Sequence, residues 1–243
     1  MIIQINPKEF VRDFIDPIND LNKQGKIAVF YDNGELYSIS TKNRAIYLYN
    51  TYKPLHSEDA KDRFSINVLK LVKGLECVGS DEMFVSLEIS KDSCSFSSKD
   101  IRFNIRLLDD NLVEVPKFNL DNFKKFVIHH TINIDSDKML NIRKALEFSN
   151  GAVKFYIEQE NSDVFFYFGD KNSTSNHSDD IKILVAEGIE TKIPDKCYDV
   201  DILKLVLKLK NDFSIKLNDN GVMYVEIENP NSNLKYITTP LLK

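Results

Sequence analysis

The sequence has no segment of the kind that takes a protein into or across a membrane. No apolar run approaches the ~20 residues that a membrane-spanning helix needs. The chain starts MIIQINPKEF, which has no basic stretch followed by an apolar one, so a secretion signal is not expected. We therefore expect a cytoplasmic protein, or a nuclear one in a eukaryotic cell, that has no membrane partner.

Cysteine, glycine and histidine are scarce, and their positions match no catalytic motif. Cys77, Cys94 and Cys197 are far apart and include no C-x-x-C pair, which indicates packed thiols in a reducing compartment rather than disulfides or a zinc site. Only eight glycines occur, with no phosphate-binding loop and no G-x-S-x-G motif. The adjacent His129 and His130 cannot share one face of a strand or helix. We expect no catalytic residues, no metal and no cofactor; an enzyme with a dispersed site is a further alternative.

Positive charge is in the minority over the whole chain. The sequence has 32 Lys and Arg against 37 Asp and Glu, a formal net charge of −5, and a pI of about 5.5. This balance argues against a protein that simply coats nucleic acid. It still allows a protein that gathers its positive charge on one surface, so the distribution of the cations matters more than their sum.

Helical and strand-like hydrophobic periods alternate along the chain in a repeated order. Four segments have apolar residues at helical spacing, and each is followed by short runs typical of strands. Pro17 lies inside the first helical segment and should kink or divide it. The predicted helices are 7–22, 65–78, 137–150 and 198–212. The strand-like runs are 26–31, 35–40, 45–50, 83–89, 93–97, 101–108, 152–159, 164–170, 181–188, 213–217, 222–228 and 234–239.

Residues 109–122 separate the two halves of this pattern. They carry no clear period and contain Pro116, so we predict a connecting loop. The predicted fold class is α+β, with two similar domains at 1–108 and 123–243. Each domain would pack two helices on antiparallel sheets. The chain would thus repeat one domain twice, and each domain would itself contain two helix-plus-sheet units.

The segment DILKLVLKLK, residues 201–210, is ambiguous when it is taken alone. Its leucines alternate well enough for a strand, but they also fit one face of a helix. The related segment NVLKLVKG, residues 67–74, does not alternate and divides cleanly on a helical wheel. If the two copies share one structure, both are helices, and Lys204 and Lys208 lie on one stripe.

Each of the four predicted helices has two cationic side chains opposite its apolar face. They are Lys8, Arg12, Lys70, Lys73, Arg143, Lys144, Lys204 and Lys208. One interpretation is an ordinary solvated helix face. The other is that the four helices line a common basic surface, which would bind the phosphates of duplex DNA without reading its sequence.

Two stretches resemble a known family. LKYITTPLLK, residues 234–243, resembles the L-K-Y-Y-L-A-P-K ending of PCNA and follows a strand-like run, VMYVEIE. ELYSISTKNRAIYLY, residues 35–49, resembles the strand, loop and strand that carry part of the partner-binding pocket in that family. Together with the order of elements over the whole chain, these stretches make the sequence similar to the DNA sliding clamps, which include PCNA and the clamps of tailed phages.

The resemblance implies both a fold and a function. The fold is the DNA clamp fold, in which subunits form a closed ring, trimeric in PCNA, whose helices line a hole that holds duplex DNA. The function is that of a DNA polymerase processivity factor, which tethers polymerase and other replication proteins and has a clamp loader as a further partner. The short chain and its Asn-, Lys- and Ile-rich composition favour a bacteriophage source, and thus the bacterial host cytoplasm.

The resemblance also implies two kinds of protein contact. Partner peptides would insert between the connecting loop and the C-terminal tail, and runs 101–108 and 181–188 match the edge strands that pair between neighbouring subunits. Carried over residue by residue, the peptide pocket comprises Ile39, Leu112, Val115, Val222, Ile237, Thr239 and Pro240. The alternative is a β-rich, ring-forming virion or assembly protein that does not bind DNA.

Overall fold

The computed structural model describes residues 1–22, 25–58, 63–78, 83–117, 127–149, 151–169, 171 and 180–241. They form two compact units. The first unit comprises Met1–Phe118 with Glu228–Leu234, and the second comprises Asn119–Ile227 with Lys235–Lys243. Three parts of the predicted elements lie outside the described residues, namely 118–122 of the connector, 150 of a helix and 170 of a strand.

The described part of the first unit consists of antiparallel sheets and helices. One sheet has the strand order β5-β1-β7-β8-β9, and the other contributes the order β4-β3-β2-β6. The strands are β1 (Ile2–Ile5), β2 (Lys26–Asp32), β3 (Glu35–Lys42), β4 (Ile46–Tyr52), β5 (His56–Glu58), β6 (Arg63–Asn67), β7 (Val85–Ile89), β8 (Ser93–Ser97) and β9 (Arg102–Arg106). The helices are α1, in three consecutive pieces (Pro7–Glu9, Phe10–Ile15 and Asp16–Leu21), and α2 (Val68–Val78).

Helix α1 continues through Pro17 instead of ending there. Its middle piece, Phe10–Ile15, has π-helical hydrogen bonds, which is how the chain accommodates the predicted kink. A proline has no backbone N–H, so carbonyls in the preceding turn need another donor. The fully buried Asn50 on β4 supplies one, because its Nδ2 lies 3.4 Å from the carbonyl oxygen of Asp13, four residues before Pro17, and 2.8 Å from that of the next residue, Phe14.

Helix α2 begins at Val68, so the prediction of helix at residues 65–67 is wrong. Those residues belong to β6, where Ser65 pairs with Ala28 and Ile66 with Ile27, because pairing with β2 outweighs the local helical period. From Val68 onward the helix buries its apolar face and leaves Lys70 and Lys73 exposed. The prediction that the segment 67–74 is helical is thereby confirmed from Val68 onward.

The described part of the second unit repeats this arrangement. Its sheets have the strand orders β10-β15-β16-β17 and β13-β12-β11-β14, and the turn end of the β16–β17 hairpin belongs to the first unit. The strands are β10 (His130–Ile134), β11 (Lys154–Glu160), β12 (Asp163–Phe168), β13 (Ile181–Ala186), β14 (Lys196–Asp199), β15 (Phe213–Leu217), β16 (Met223–Asn229) and β17 (Ser232–Thr238). The helices are α3 (Ser136–Phe148) and α4 (Asp201–Lys208).

The two units therefore have matching topologies. One sheet has the order β1-β7-β8-β9 in the first unit and β10-β15-β16-β17 in the second. The other sheet has the order β4-β3-β2-β6 in the first unit and β13-β12-β11-β14 in the second. In both units one helix follows the first strand, and the other follows the strand that ends the second sheet, β6 or β14. The predicted mixed architecture of helices on antiparallel sheets is confirmed.

The segment 201–210 is helical over residues 201–208, as its relative predicted. Helix α4 buries Leu203 and Leu207 and leaves Lys204 and Lys208 exposed, while Lys210 lies beyond its end with a φ of +59°. The predicted helix of 198–212 is too long at both ends, because residues 198–200 and 209–212 are not helical. Tyr198 lies in β14 opposite Phe155 and its hydroxyl donates to the carbonyl of Gly221 at 2.7 Å, so burial of its ring holds this segment in the sheet.

Candidate functional site

The first part of the predicted connector is fixed to strand β6. Leu108 donates its backbone N–H to the carbonyl of Ser65 at 2.8 Å, and the Ser65 hydroxyl donates to the Asp110 carboxylate at 2.6 Å. The guanidinium of Arg63 donates to the carbonyl of Asp110 at 3.0 Å. Asp109 caps the short 3-10 turn Asp110–Leu112 by accepting from the N–H of Asn111. These bonds set where the following residues cross the sheet.

Beyond this anchor, residues 112–117 enclose a cavity against the outward face of the β3–β4 hairpin. We refer to it as the connector cavity; its volume is about 560 Å³. Its hairpin wall includes Ile39, Thr41 and Tyr47, the last two of which are opposite each other in the β3–β4 pairing. All of its lining residues belong to the first unit. Leu112 is 65% exposed at its edge, which is unusual for a leucine on a wall of a cavity.

Three of the predicted pocket residues meet at this cavity. Ile39, Leu112 and Val115 all line it, as does Pro116 next to Val115. The charged residues of the lining were not predicted; they are Lys26, Arg44, Glu114 and Lys117. Arg44 lies within the stretch 35–49 that resembles the clamp family. The sequence therefore marked the hairpin, but it did not show that Arg44 lines the cavity.

The outward face of the sheet continues from the cavity as a row of aromatic rings. The ring centroids of Tyr49 and Tyr37 are 5.8 Å apart, and those of Tyr37 and Phe30 are 5.0 Å apart in a stacked arrangement. Arg63 lies over Phe30 at 5.4 Å. Burial raises the pKa of Tyr49 to about 12 and raises that of Tyr37, so both phenols lose their protons only above the ordinary range for tyrosine. The row starts next to the cavity, because Tyr49 is opposite the lining residue Ile39 in the β3–β4 pairing.

The four other predicted pocket residues belong to the second unit. Val222 is half-buried and donates its N–H to the Asn218 side chain at 2.8 Å. Ile237 is buried in β17, whereas Thr239 is exposed and Pro240 half-buried just after it. Their role in a peptide pocket stays a prediction.

In the first unit, two of the predicted DNA-binding residues, Lys8 and Arg12, line a groove between α1 and α2. This groove, of about 290 Å³, is lined by Lys8 and Arg12 from α1 and by Leu75 and Glu76 from α2. Arg12 is bound to the buried Asp13 by two hydrogen bonds of 2.6 and 2.7 Å, and the bond to Asp13 raises the pKa of Arg12. The arginine is thus already paired with a carboxylate.

Lysines supply the remaining positive charge of these two helices. Lys8 is exposed on α1, and Lys70 and Lys73 are exposed on α2. Asp16 of α1 also lines the groove, and burial raises its pKa, with Asp20 and Glu76 contributing in the same direction. The first unit therefore presents both signs of charge along its helices.

In the second unit the predicted DNA-binding residues also lie on two adjacent helices. The Arg143 guanidinium of α3 donates to the carbonyl of Leu207 near the end of α4, at 2.5 Å, and thereby caps the unsatisfied end of that helix. Lys144 is exposed, and Lys208 is exposed in the last turn of α4. Lys204 is 53% exposed and lies 3.6 Å from the Asp201 carboxylate.

The two runs that matched subunit-pairing strands both end a sheet. Strand β9 is the last in the order β5-β1-β7-β8-β9, and β13 is the last in the order β14-β11-β12-β13. The predicted bounds of 101–108 and 181–188 shorten to Arg102–Arg106 and Ile181–Ala186. An edge strand carries backbone N–H and C=O groups that another strand can pair with.

The described residues have neither a metal-binding cluster nor a helix suited to a membrane. They contain no group of three or more His, Cys, Asp and Glu side chains placed to hold a metal ion. Within the same ranges, no helix is long and apolar enough to cross a membrane.

Comparison with known proteins identifies a fold and no family. No protein-family model matches the chain. Over 104 residues it is 33% identical to the phenylalanine–tRNA ligase beta subunit of Mycoplasma mycoides subsp. mycoides SC, a match that covers 42% of this chain and only 12% of that protein. A chain in the solved structure of the C-terminal region of FEN-1 bound to A. fulgidus PCNA matches with a TM-score of 0.73 and 12% identity, over 100% of this chain and 98% of its own length. The fold is PCNA-like.

Proposed function

We propose that the protein is a DNA sliding clamp, a processivity factor that encircles duplex DNA and tethers a DNA polymerase without catalysing a reaction itself. The observation that carries the proposal is the PCNA-like fold, which extends over the whole chain and not over one unit alone. The matching topologies of the two units and the exposed lysines on their helices support it. A phage source and a clamp loader as a further partner are parts of the same proposal.

The ring would form by pairing of edge strands between copies of the chain. Within the described ranges, strands β9 and β13 each lie at the edge of a sheet, and pairing β9 of one copy with β13 of the next would remove the tendency of such edges to aggregate. Three copies of 28.1 kDa would have a mass of about 84 kDa. Light scattering on the protein in solution measures this mass directly.

Topological linkage gives a sharper test than binding affinity. A linear duplex is attached to a bead at one end, and the protein threads over the free end. That end is then blocked by a bound protein, which gives what we call doubly closed DNA. We expect the chain to survive a wash at about 0.5 M NaCl, which screens exposed charges, and to be released when a restriction enzyme cuts the duplex. Loss of the chain during the wash would contradict encirclement, and is the result expected for an assembly protein that does not bind DNA.

The lysines of the helices can be tested with a matched control. Replacement of Lys70, Lys73, Lys204 and Lys208 by alanine should abolish polymerase stimulation and leave the mass and the melting temperature unchanged, because all four side chains are exposed. The control replaces four exposed loop lysines, Lys53, Lys91, Lys99 and Lys192. Equal loss in both variants would mean that only total charge matters, and dissociation of the helix variant would mean that its lysines are structural.

The connector cavity is the proposed docking site for polymerase and other partners in this function. Three residues carried over from the clamp family, Ile39, Leu112 and Val115, line it together. A cavity of this size, with an apolar wall and a few charged groups, suits one or two anchor side chains of a bound segment. A variant with Ile39→Asp should lose polymerase stimulation and keep retention on doubly closed DNA.

A further inference from the structure

We propose that the connector cavity selects a partner segment in which an apolar anchor side chain is followed by acidic residues. This inference rests on the proposed function, because it takes the cavity to be the docking site for partners. Its basis is the charge of the lining, in which Lys26, Arg44 and Lys117 oppose a single carboxylate, Glu114.

The net charge of the cavity lining is opposite in sign to that of the whole chain. The protein has a formal net charge of −5, yet the cavity lining has a net charge of +2. Among the residues that the structure describes, no carboxylate forms an ion pair with any of the three cations. Glu114 is exposed on the connector and does not neutralise them. Unpaired cations around an apolar wall favour a ligand that brings its own carboxylates.

The backbone at Arg44 is a second, independent observation. The β3–β4 turn places Asn43 at a φ of +54° and Arg44 at +57°, in the left-handed region, and Ala45 closes the turn by donating to the carbonyl of Lys42 at 3.0 Å. Asparagine tolerates this region, whereas arginine rarely adopts it. A glycine would satisfy the turn without strain. The arginine thus holds a costly conformation at the cavity, a kind of backbone strain that recurs at functional sites.

The apolar residues of the lining indicate which kind of anchor side chain the ligand inserts. Ile39 and the ring of Tyr47 form the hairpin wall, and the exposed Leu112 and half-buried Val115 face the cavity from the connector. An aliphatic or aromatic side chain that enters here removes the Leu112 side chain from water. The cations then lie where the flanking residues of the same segment would pass.

Three labelled peptides test the charge preference directly. Each has a common apolar core, Ile-Leu-Phe, followed by four Glu, four Gln or four Lys residues, and binding to the full chain is measured by fluorescence anisotropy. We expect the Glu peptide to bind about tenfold more tightly than the Gln peptide at low salt, from two or three exposed charge pairs, and the Lys peptide to bind most weakly. The difference should shrink at about 0.5 M NaCl.

Variants assign that preference to named residues. Arg44→Gln, Lys26→Gln and Lys117→Gln should each weaken the Glu peptide about two- to fourfold and leave the Gln peptide unchanged. Glu114→Gln should strengthen the Glu peptide. Arg44→Gly should weaken the Glu peptide while it raises the melting temperature, a combination that a merely structural arginine would not produce. Asn43→Gly relaxes the same turn without loss of charge, and is the matched control.

Several outcomes would overturn the inference. These are equal affinity for the Glu and Gln peptides, no detectable binding of the Glu peptide at about 1 mM, or an affinity for a single-stranded oligonucleotide as high as that for the Glu peptide and equally sensitive to Arg44→Gln. The last would assign the cations to nucleic acid. Retention on doubly closed DNA is measured on the same variants and should be unchanged; if retention fails while the Glu peptide still binds, the clamp function is wrong and the cavity preference stands.

Discussion

Asn50 should be among the most sensitive polar positions of the first unit, because α1 depends on it to pass through Pro17. Its amide is fully buried and donates to the carbonyl of Phe14 at 2.8 Å, with a weaker contact of 3.4 Å to that of Asp13. Removal of a donor that leaves a buried carbonyl unsatisfied costs about 1–3 kcal/mol. The Asn50 Oδ1 atom has no partner among the described residues, so alanine also removes an unsatisfied acceptor, which reduces the net loss.

We therefore expect Asn50→Ala to lower the free energy of unfolding by about 2 kcal/mol, or the melting temperature by about 4–8 °C for a chain of this length. The assay is chemical or thermal unfolding at one fixed subunit concentration, because association would change the apparent stability. Thr51→Ala, one residue further along β4 and half-exposed, is the control and should change stability by less than about 0.5 kcal/mol.

A second variant tests the cause and not only the size of the effect. Pro17→Ala restores a backbone N–H that can bond to the preceding turn, so the loss caused by Asn50→Ala should be about 1 kcal/mol smaller in that background. If Asn50→Ala leaves stability within about 0.5 kcal/mol of the parent chain, or if its effect is the same with and without Pro17, the assigned role of the amide is refuted.

Two further predictions concern packing and pH. A Cβ at Gly74 of α2 would lie 2.7 Å from the buried ring of Phe96, so Gly74→Ala should destabilise by about 1 kcal/mol although alanine favours helices; a more stable variant would contradict this packing. Burial raises the pKa of Glu158, but hydrogen bonds from Lys171 and Lys182 outweigh it and lower the pKa overall. Glu158→Gln should therefore be less stable than the parent at neutral pH, and the gap should close as the pH falls below about 4.3, the ordinary glutamate value; a gap that is constant with pH would refute the ion-pair account.

The long periodic segments were predictable, and the strands of four residues or fewer were not. Helices α2 and α4 follow from their hydrophobic spacing and from the resemblance of one segment to the other. Strands β1 and β14 have four residues each, too few to establish a period. Such strands exist because a neighbour pairs with them, as β11 does with β14, and that partner is distant in sequence.

The candidate site was predictable only where a motif marked it. The connector and the hairpin were found by resemblance, and three of their predicted residues line one cavity. The cations of that cavity were missed because the position of Lys26 and Arg44 relative to the connector depends on the path of the chain through β2, β3 and β4. Hydrophobic spacing determines which face a residue occupies, and it does not determine what lies opposite that face.

The predicted cations of the helices differ in what they can still bind. Arg12 is held by two hydrogen bonds to Asp13, and Arg143 donates to the end of α4, so both arginines already have protein partners. The exposed lysines, such as Lys70 and Lys73, act as compact point charges on flexible stems, whereas arginine is the residue that recognises bases and phosphates through two parallel hydrogen bonds. In each unit, helices whose arginine is engaged and whose lysines are exposed would suit the contacts with phosphates, free of sequence information, that the proposed function needs. Contacts of that kind are weakened by salt and can shift from one phosphate to the next, as the proposed ring on DNA would require.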